Sequence, residues 1–279
     1  MYIGVELDKL NNFEKFKLIL KGKMISFFQN KLSDSNFIIF INNIFRFKNK
    51  IFIKNNLIYV SDNNSTIYFP NLFRALNYLN GFDQYLNQLF ESYCLEKITF
   101  NNSDLIVDCG ANIGELNQSF INKNLNLNYV AFEPDKDAFL CLELNSIEKN
   151  AEIFNIALSD SSTEKTFYVD SVGANSSLEY FGNNFSYKVN CKKLDDFKLK
   201  NIKLLKMDAE GHELQALKGA ESTLKTTMFI SVDFGEEKGV LQEHTIVDVT
   251  NYLYSQNFSL IDYSSKRMVG LFKNNKINF

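Results

Sequence analysis

The chain has 279 residues, 45% of them hydrophobic and 23% charged, which suits one full-sized domain with a smaller companion and excludes a disordered or coiled-coil protein. Thirty Lys+Arg stand against 33 Asp+Glu, a net charge of -3 that by itself calls for neither nucleic acid nor an anionic membrane as partner. Cys94, Cys109, Cys141 and Cys191 have no CxxC spacing and there are two His, so a disulfide scaffold, a zinc module and a His-built metal cage are all poor fits.

The amino terminus, MYIGVELDKLNNFEK, has no basic-then-apolar leader, and the longest apolar stretch, Phe37 to Phe45, is broken by Asn42 and Asn43. The expectation is a soluble, cytoplasmic protein without stable membrane insertion. Phe13, Phe16, Leu20, Met24 and Phe27/Phe28 recur at helical spacing, which predicts a helix over 13–31. Residues 37–69 hold short aromatic and β-branched segments, FIIFI, KIFIK, LIYVS and TIYFP, parted by Asn and Asp. They predict a small antiparallel meander. Helical spacing returns over 71–94 through Leu72, Leu76, Leu79, Phe82, Leu86, Leu89 and Tyr93. No chemical motif falls in this region. Residues 1–95 are read as a helical and β-meander cap or oligomerisation element, through which a homo-oligomer would form, and 96–279 as the catalytic domain.

From residue 104 strands and helices alternate. Strands are predicted at 105–107, 128–132, 152–156, 204–207 and 228–234, and helices at 113–122, 135–148, 213–224 and 244–255. The tail, FSLIDYSSKRMVGLF, is read as a closing hairpin. This alternation predicts an α/β fold, a doubly wound and mostly parallel sheet whose ligand lies beyond the carboxyl ends of the strands.

Two strand ends carry the chemistry. The first is Asp108-Cys109-Gly110-Ala111-Asn112-Ile113-Gly114, between a strand and a helix. It is not GxGxxG: Asp108 stands where a pyrophosphate loop would begin, and a carboxylate there repels a diphosphate but suits a cation. The next strand ends in Phe132-Glu133-Pro134, with Glu133 nineteen positions beyond Gly114, placed to accept both ribose hydroxyl hydrogens. A nucleoside with a cationic, phosphate-free tail fits both features, and S-adenosylmethionine is such a molecule. The second strand end is Lys206-Met207-Asp208-Ala209-Glu210-Gly211-His212-Glu213. There Asp208 and Glu210 are set to face a pocket and serve the cofactor ammonium, the substrate hydroxyl or a metal. Glu213 is read as a helix-capping residue.

DCGANIG (108–114), FEP (132–134), NIALSD (155–160) and above all LKMDAEGHELQALKGA (205–220) resemble the FkbM family of S-adenosylmethionine-dependent methyltransferases, over roughly residues 104–235. The resemblance implies a seven-stranded class I methyltransferase sheet and O-methylation of a hydroxyl on a sugar, polyketide or other small metabolite. It implies a cofactor loop of Asp108, Gly110, Ala111, Asn112 and Gly114, and Glu133 on the ribose. Ala157, Leu158 and Ser159 would lie along the adenine, and Asp208 and Glu210 at the reaction edge. Asp233, in SVDFGEE, stands where a Glu is often found.

An alcohol nucleophile benefits from a base, and Asp208, Glu210, His212 and Asp233 are the candidates, His212 for its near-neutral intrinsic pKa. No adjacent Asp-Asp pair follows at the next strand end, so no metal is expected. The polar stretch 170–185 suits a lid over an acceptor such as a surface-glycan unit or its precursor. A nicotinamide-dependent oxidoreductase or epimerase is disfavoured by Asp108, and a non-catalytic binding protein by the intact carboxylates at 108, 133 and 208.

Overall fold

Asn11 starts the first helix with a capping box: its side chain accepts from the Phe13 and Glu14 amides, and Glu14 accepts from the Asn11 amide. The computed structural model describes residues 11–62, 65–147, 150–170, 176–182 and 185–277. They divide into two compact units, residues 1–88 and 89–279.

In the first unit α1 (Asn12–Gln29) is followed by α2 (Asp34–Ile44) and an antiparallel sheet of β1 (Lys50–Lys54), β2 (Leu57–Ser61) and β3 (Thr66–Phe69). FIIFI therefore belongs to a helix and not to the expected meander. Phe37, Ile38 and Ile41 all bury on one helical face, and that packing overrides β-branched propensity. The Asn42 side chain then bonds both backbone groups of Ile51, joining α2 to the sheet. The helix expected over 71–94 is broken into α3 (Leu72–Ala75), a 3₁₀ turn (Leu76–Tyr78) and α4 (Phe82–Ser92), with Gly81 at φ 127° between the last two.

The second unit begins at β4 (Leu105–Cys109) and alternates through α5 (Glu115–Asn122), β5 (Asn128–Phe132), α6 (Lys136–Asn145) and β6 (Ala151–Phe154). A side sheet follows, built from β7 (Ala157–Leu158), β8 (Glu164–Tyr168) and β9 (Ser186–Lys192) in the order β7-β9-β8. The chain returns through β10 (Ile202–Met207), α7 (Glu213–Lys218), α8 (Glu221–Leu224) and β11 (Thr227–Asp233). It ends with a small hairpin, β12 (Glu236–Lys238) and β13 (Glu243–His244), then α9 (Ile246–Ser255) and the hairpin β14 (Phe258–Ser264) and β15 (Val269–Asn274).

The central sheet has seven strands in the order β14-β15-β11-β10-β4-β5-β6. The five from β11 to β6 are parallel, and β15 and β14 close the edge antiparallel. Successive strand residues face opposite cores. Val107, Leu205 and Ile230 pack with Ala216, Leu217, Val249 and Leu253, whereas Ile106, Leu204 and Phe229 pack with Leu116, Phe120 and Leu142. Having run outward from β4 to β6, the chain returns to place β10 on the other side of β4, so the β4 and β10 carboxyl ends flank the topological switch. The single helix expected over 213–224 is interrupted at Gly219, where a Cβ would stand 1.9 Å from the Ser159 carbonyl oxygen.

Candidate active site

The turn after β4 is shaped by backbone. Gly110 has φ 71°, and a Cβ there would lie 1.9 Å from the Asp208 carbonyl oxygen, so only glycine lets the turns after β4 and β10 touch. The amides of Gly110 and Ala111 both donate to the Phe132 carbonyl at 3.0 and 3.1 Å, tying the turn to the end of β5. Asn112, at φ 53°, aims its own amide at Glu133 Oε2, 2.6 Å away. The Asp135 amide donates to Glu133 Oε1 at 2.8 Å, and Asn155 holds the Glu133 carbonyl. Glu133 is thus buried and fixed by two backbone donors. Burial pushes its carboxyl up to about 7 against those bonds. A carboxylate accepts about four hydrogen bonds, so two positions remain for ribose hydroxyls. Asn112 Oδ1 is buried without a hydrogen-bond partner among the described residues, a second group in the same turn that a ligand donor would satisfy. These residues fit S-adenosylmethionine.

Asp108 takes a different place from the one its motif suggested. It is 1% exposed, accepts from the Tyr129 hydroxyl and lies 3.1 Å from Lys206 Nζ. Lys206 also donates to the carbonyls of Cys109 and Gly110 and sits 3.5 Å from Asp208. The cation that Asp108 meets is therefore Lys206. Its part is to anchor the turn from beneath, because its register on β4 is directly beside Lys206 on β10. Burial would lower the Lys206 pKa, but Asp108 and Asp208 hold it above the ordinary lysine value.

Asp208 is a hub. Its Oδ2 accepts from the Tyr93 hydroxyl at 2.5 Å and from Arg267 Nη2 at 3.0 Å. Arg267 Nε reaches Asp233 at 2.7 Å, and its guanidinium lies 4.6 Å from the Tyr93 ring centroid. Burial opposes ionisation of Asp208, yet Lys206, Arg267 and the Tyr93 hydroxyl hold its carboxyl below the usual range. Asp233 is pushed up to about 6 by burial and the charge of Asp208, against the pull of Arg267. Both carboxylates are spent on Arg267, which makes each a weak base candidate.

His212 is corrected more sharply. It is buried, with Nε2 3.0 Å from Ser159 Oγ and Nδ1 2.8 Å from Glu179 Oε1. Lys165 donates to the same Ser159 oxygen at 2.7 Å. With both ring nitrogens engaged, His212 ties β10's turn to the side sheet and is not placed to take a substrate proton. Ser159 is correspondingly occupied by His212 and Lys165. Ala157 is buried among Phe167, Val189 and Cys191, and Leu158 belongs to the main core, so the three residues assigned to adenine are internal. Of the polar stretch 170–185, residues 171–175 and 183–184 lie outside the described residues. The described part is attached to the site, Glu179 through His212 and Ser177 through the Glu210 carbonyl at 2.6 Å. Glu213 does not cap α7, as the sequence suggested; its Oε1 accepts from the Ala209 and Gly211 amides and so holds the turn before the helix.

Glu210 remains, and it has a partner that the sequence did not single out. Asp208, Glu210 and Glu237 bring carboxylate oxygens within 4.8 Å of one another, a spacing compatible with a cation. Glu210, at φ 51°, is pushed well above the carboxylate range by burial and by the charges of Asp208 and Glu237. Glu237 is pushed up to about 8 by burial and by Asp208. Oε2 of each is buried without a hydrogen-bond partner among the described residues. Sequence signals for the missed residues differ. Lys206 is the one charged residue late in the apolar strand IKLLKM, and Glu237 follows the next strand end. Tyr93 and Arg267 carry none, being 115 and 59 positions from Asp208.

The Methyltransferase FkbM domain family matches residues 108–260. A protein described as Methyltransferase 1 from Beauveria bassiana (strain ARSEF 2860) is 26% identical over 168 residues, which is 48% of this chain and 65% of that protein. Among solved structures, a methyltransferase FkbM from Methylobacillus flagellatus KT is 19% identical with a TM-score of 0.45, covering 73% of this chain and 55% of the other. A SAM-dependent methyltransferase from Aquifex aeolicus is 12% identical with a TM-score of 0.41, covering 67% and 95%. The chain thus spans just under two thirds of the length of the curated relative it matches.

Proposed function

The chain belongs to the FkbM methyltransferase family, its domain an S-adenosylmethionine-dependent methyltransferase domain, and we propose that the protein methylates a hydroxyl of a sugar or other small molecule, such as a surface-glycan unit or its precursor. When bound, S-adenosylmethionine would supply a methyl group, the attacking oxygen bonding to its carbon as the carbon–sulfur bond breaks and S-adenosylhomocysteine leaves. Glu133 receives the ribose hydroxyls, and the turn 110–114 brings its backbone to the switch crevice.

One observation carries the reading: the Glu210–Glu237 pair at the carboxyl ends of β10 and β11. Two carboxyls this close titrate as a pair, and burial with the neighbouring charges raises the proton affinity of both, so ionisation begins above the ordinary carboxylate range. The ionised member accepts the hydroxyl proton as the oxygen attacks, a contribution of typically 10²–10⁴-fold. Tyr93, Lys206 and Arg267 fix Asp208 and Asp233 around the pair, which keeps its position without competing for the proton. An edge of carboxylates also offers a polyol several acceptors, where an aromatic substrate would want an apolar slot.

The test is incubation of the chain with S-adenosylmethionine and pools of nucleotide sugars and glycans, read by mass for one methyl replacing one hydrogen. Gain on a hydroxyl compound that Glu237→Gln abolishes supports the assignment. Gain only on amines, protein or nucleic acid overturns it.

A further inference from the structure

The net charge of the chain conceals a division. Residues 1–88 carry eleven Lys+Arg against six Asp+Glu, a net +5, and the remaining 19 and 27 leave residues 89–279 at −8. Such asymmetry between two units points to an anionic partner for the basic one.

The basic unit presents a suitable face. On α1, Phe13, Phe16, Leu20, Met24 and Phe27 form a stripe the length of the helix, and they are 37–65% exposed. The opposite face is the one the unit uses: Ile25 is buried there, and Lys21 lies over the Phe47 ring at 3.7 Å. At 100° per residue Lys17 and Lys23 fall on the two edges of the stripe. The Lys17 ammonium rests 4.3 Å from the Phe13 ring centroid, its stem along the apolar surface. The one acidic residue of α1, Glu14, is spent in the capping box.

We infer that α1 lies in the plane of an anionic lipid surface, its aromatic stripe at the acyl boundary and its lysines among the headgroups. A second copy of the chain fits less well. Pairing two such helices antiparallel about Leu20 sets Lys17 against the Lys23 of the other copy, and parallel pairing sets each lysine against itself. Neither arrangement offers an acidic edge. Anionic headgroups supply that charge, and large apolar residues between lysines are the composition of an interfacial helix. No described helix is long and apolar enough to cross a membrane, so α1 rests on the surface. The excess negative charge of residues 89–279 gives them no share in this attraction.

The test is co-sedimentation of the full chain with vesicles. With phosphatidylglycerol vesicles the bound fraction should exceed that with phosphatidylcholine vesicles roughly tenfold or more. It should fall at about 1 M salt, where the screening length is about 3 Å. Leu20→Glu should abolish binding, and Lys17→Glu with Lys23→Glu should do so with the stripe intact. All these residues are solvent-facing, and unchanged S-adenosylhomocysteine binding and melting temperature confirm a folded chain. Equal binding to both vesicles, no binding, or a dimer that Leu20→Glu converts to monomer would overturn the inference.

Discussion

At Glu133 two backbone amides fix a buried carboxylate, and the proposed cofactor site assigns its remaining acceptor positions to the ribose hydroxyls. Glu133→Ala should cost about 1.5–3 kcal/mol of S-adenosylhomocysteine affinity, tenfold or more by calorimetry. Unchanged affinity in a folded variant removes Glu133 from the site. The carboxyl ionises at about 7 in the free protein, and hydroxyl donors favour its charged form. Binding near that pH should therefore release a proton, and affinity should decline below it by up to about tenfold per pH unit. Titration in buffers of different ionisation enthalpy reads the proton directly. At the acceptor edge, Glu210→Gln and Glu237→Gln should lower kcat by about 10²–10⁴ with cofactor affinity kept, whereas His212→Ala should act mainly through stability. The sequence favoured His212 because intrinsic pKa is a local property. That Ser159 and Glu179 consume both nitrogens is a fact of position. Activity should survive chelation; loss that Mg²⁺ restores would recast Glu210 and Glu237 as ligands.

The elements show where periodicity suffices. The strands of the central sheet and the closing hairpin fall within a few residues of their sequence positions, and β4, β5, β10, β11 and β15 do so because strands buried on both faces read as apolar runs. The failures share one cause. FIIFI has β-branched composition but helical burial, and the helix over 213–224 has continuous apolar spacing but is interrupted at Gly219, where a side chain would meet the Ser159 carbonyl oxygen. Neither contact is encoded nearby. Gly219→Ala must push the β7 turn away. Overpacking of this kind costs about 1–3 kcal/mol, a fall in melting temperature of several degrees for a domain of this size. A calorimetric scan decides it, and an unchanged midpoint would mean that the turn yields freely.

At the scale of the second unit the buried carboxyls act together. Glu133 and Glu213 ionise at about 7, Glu237 at about 8 and Asp233 at about 6, all above their unfolded values. The folded state therefore binds more protons than the unfolded chain between about pH 4.5 and 8, and stability declines as pH rises through that window. Asp208 and Glu179, held low, contribute stability lost only on acidification below their unfolded values, so it is constant here. Melting should accordingly be higher near pH 6 than near pH 8, and a flat or opposite profile would refute the reading. The alternating α/β order, the β4–α5 turn, the acidic end of β5 and the motifs of the family are legible in the residues alone, because spacing and backbone chemistry act locally within each short segment. Which carboxylates are engaged by cations and which are not depends on the folded chain. Tyr93, Lys206, Asp208, Asp233 and Arg267 come from distant parts of the chain, and charge–charge energy depends on separations in space that sequence distance does not measure.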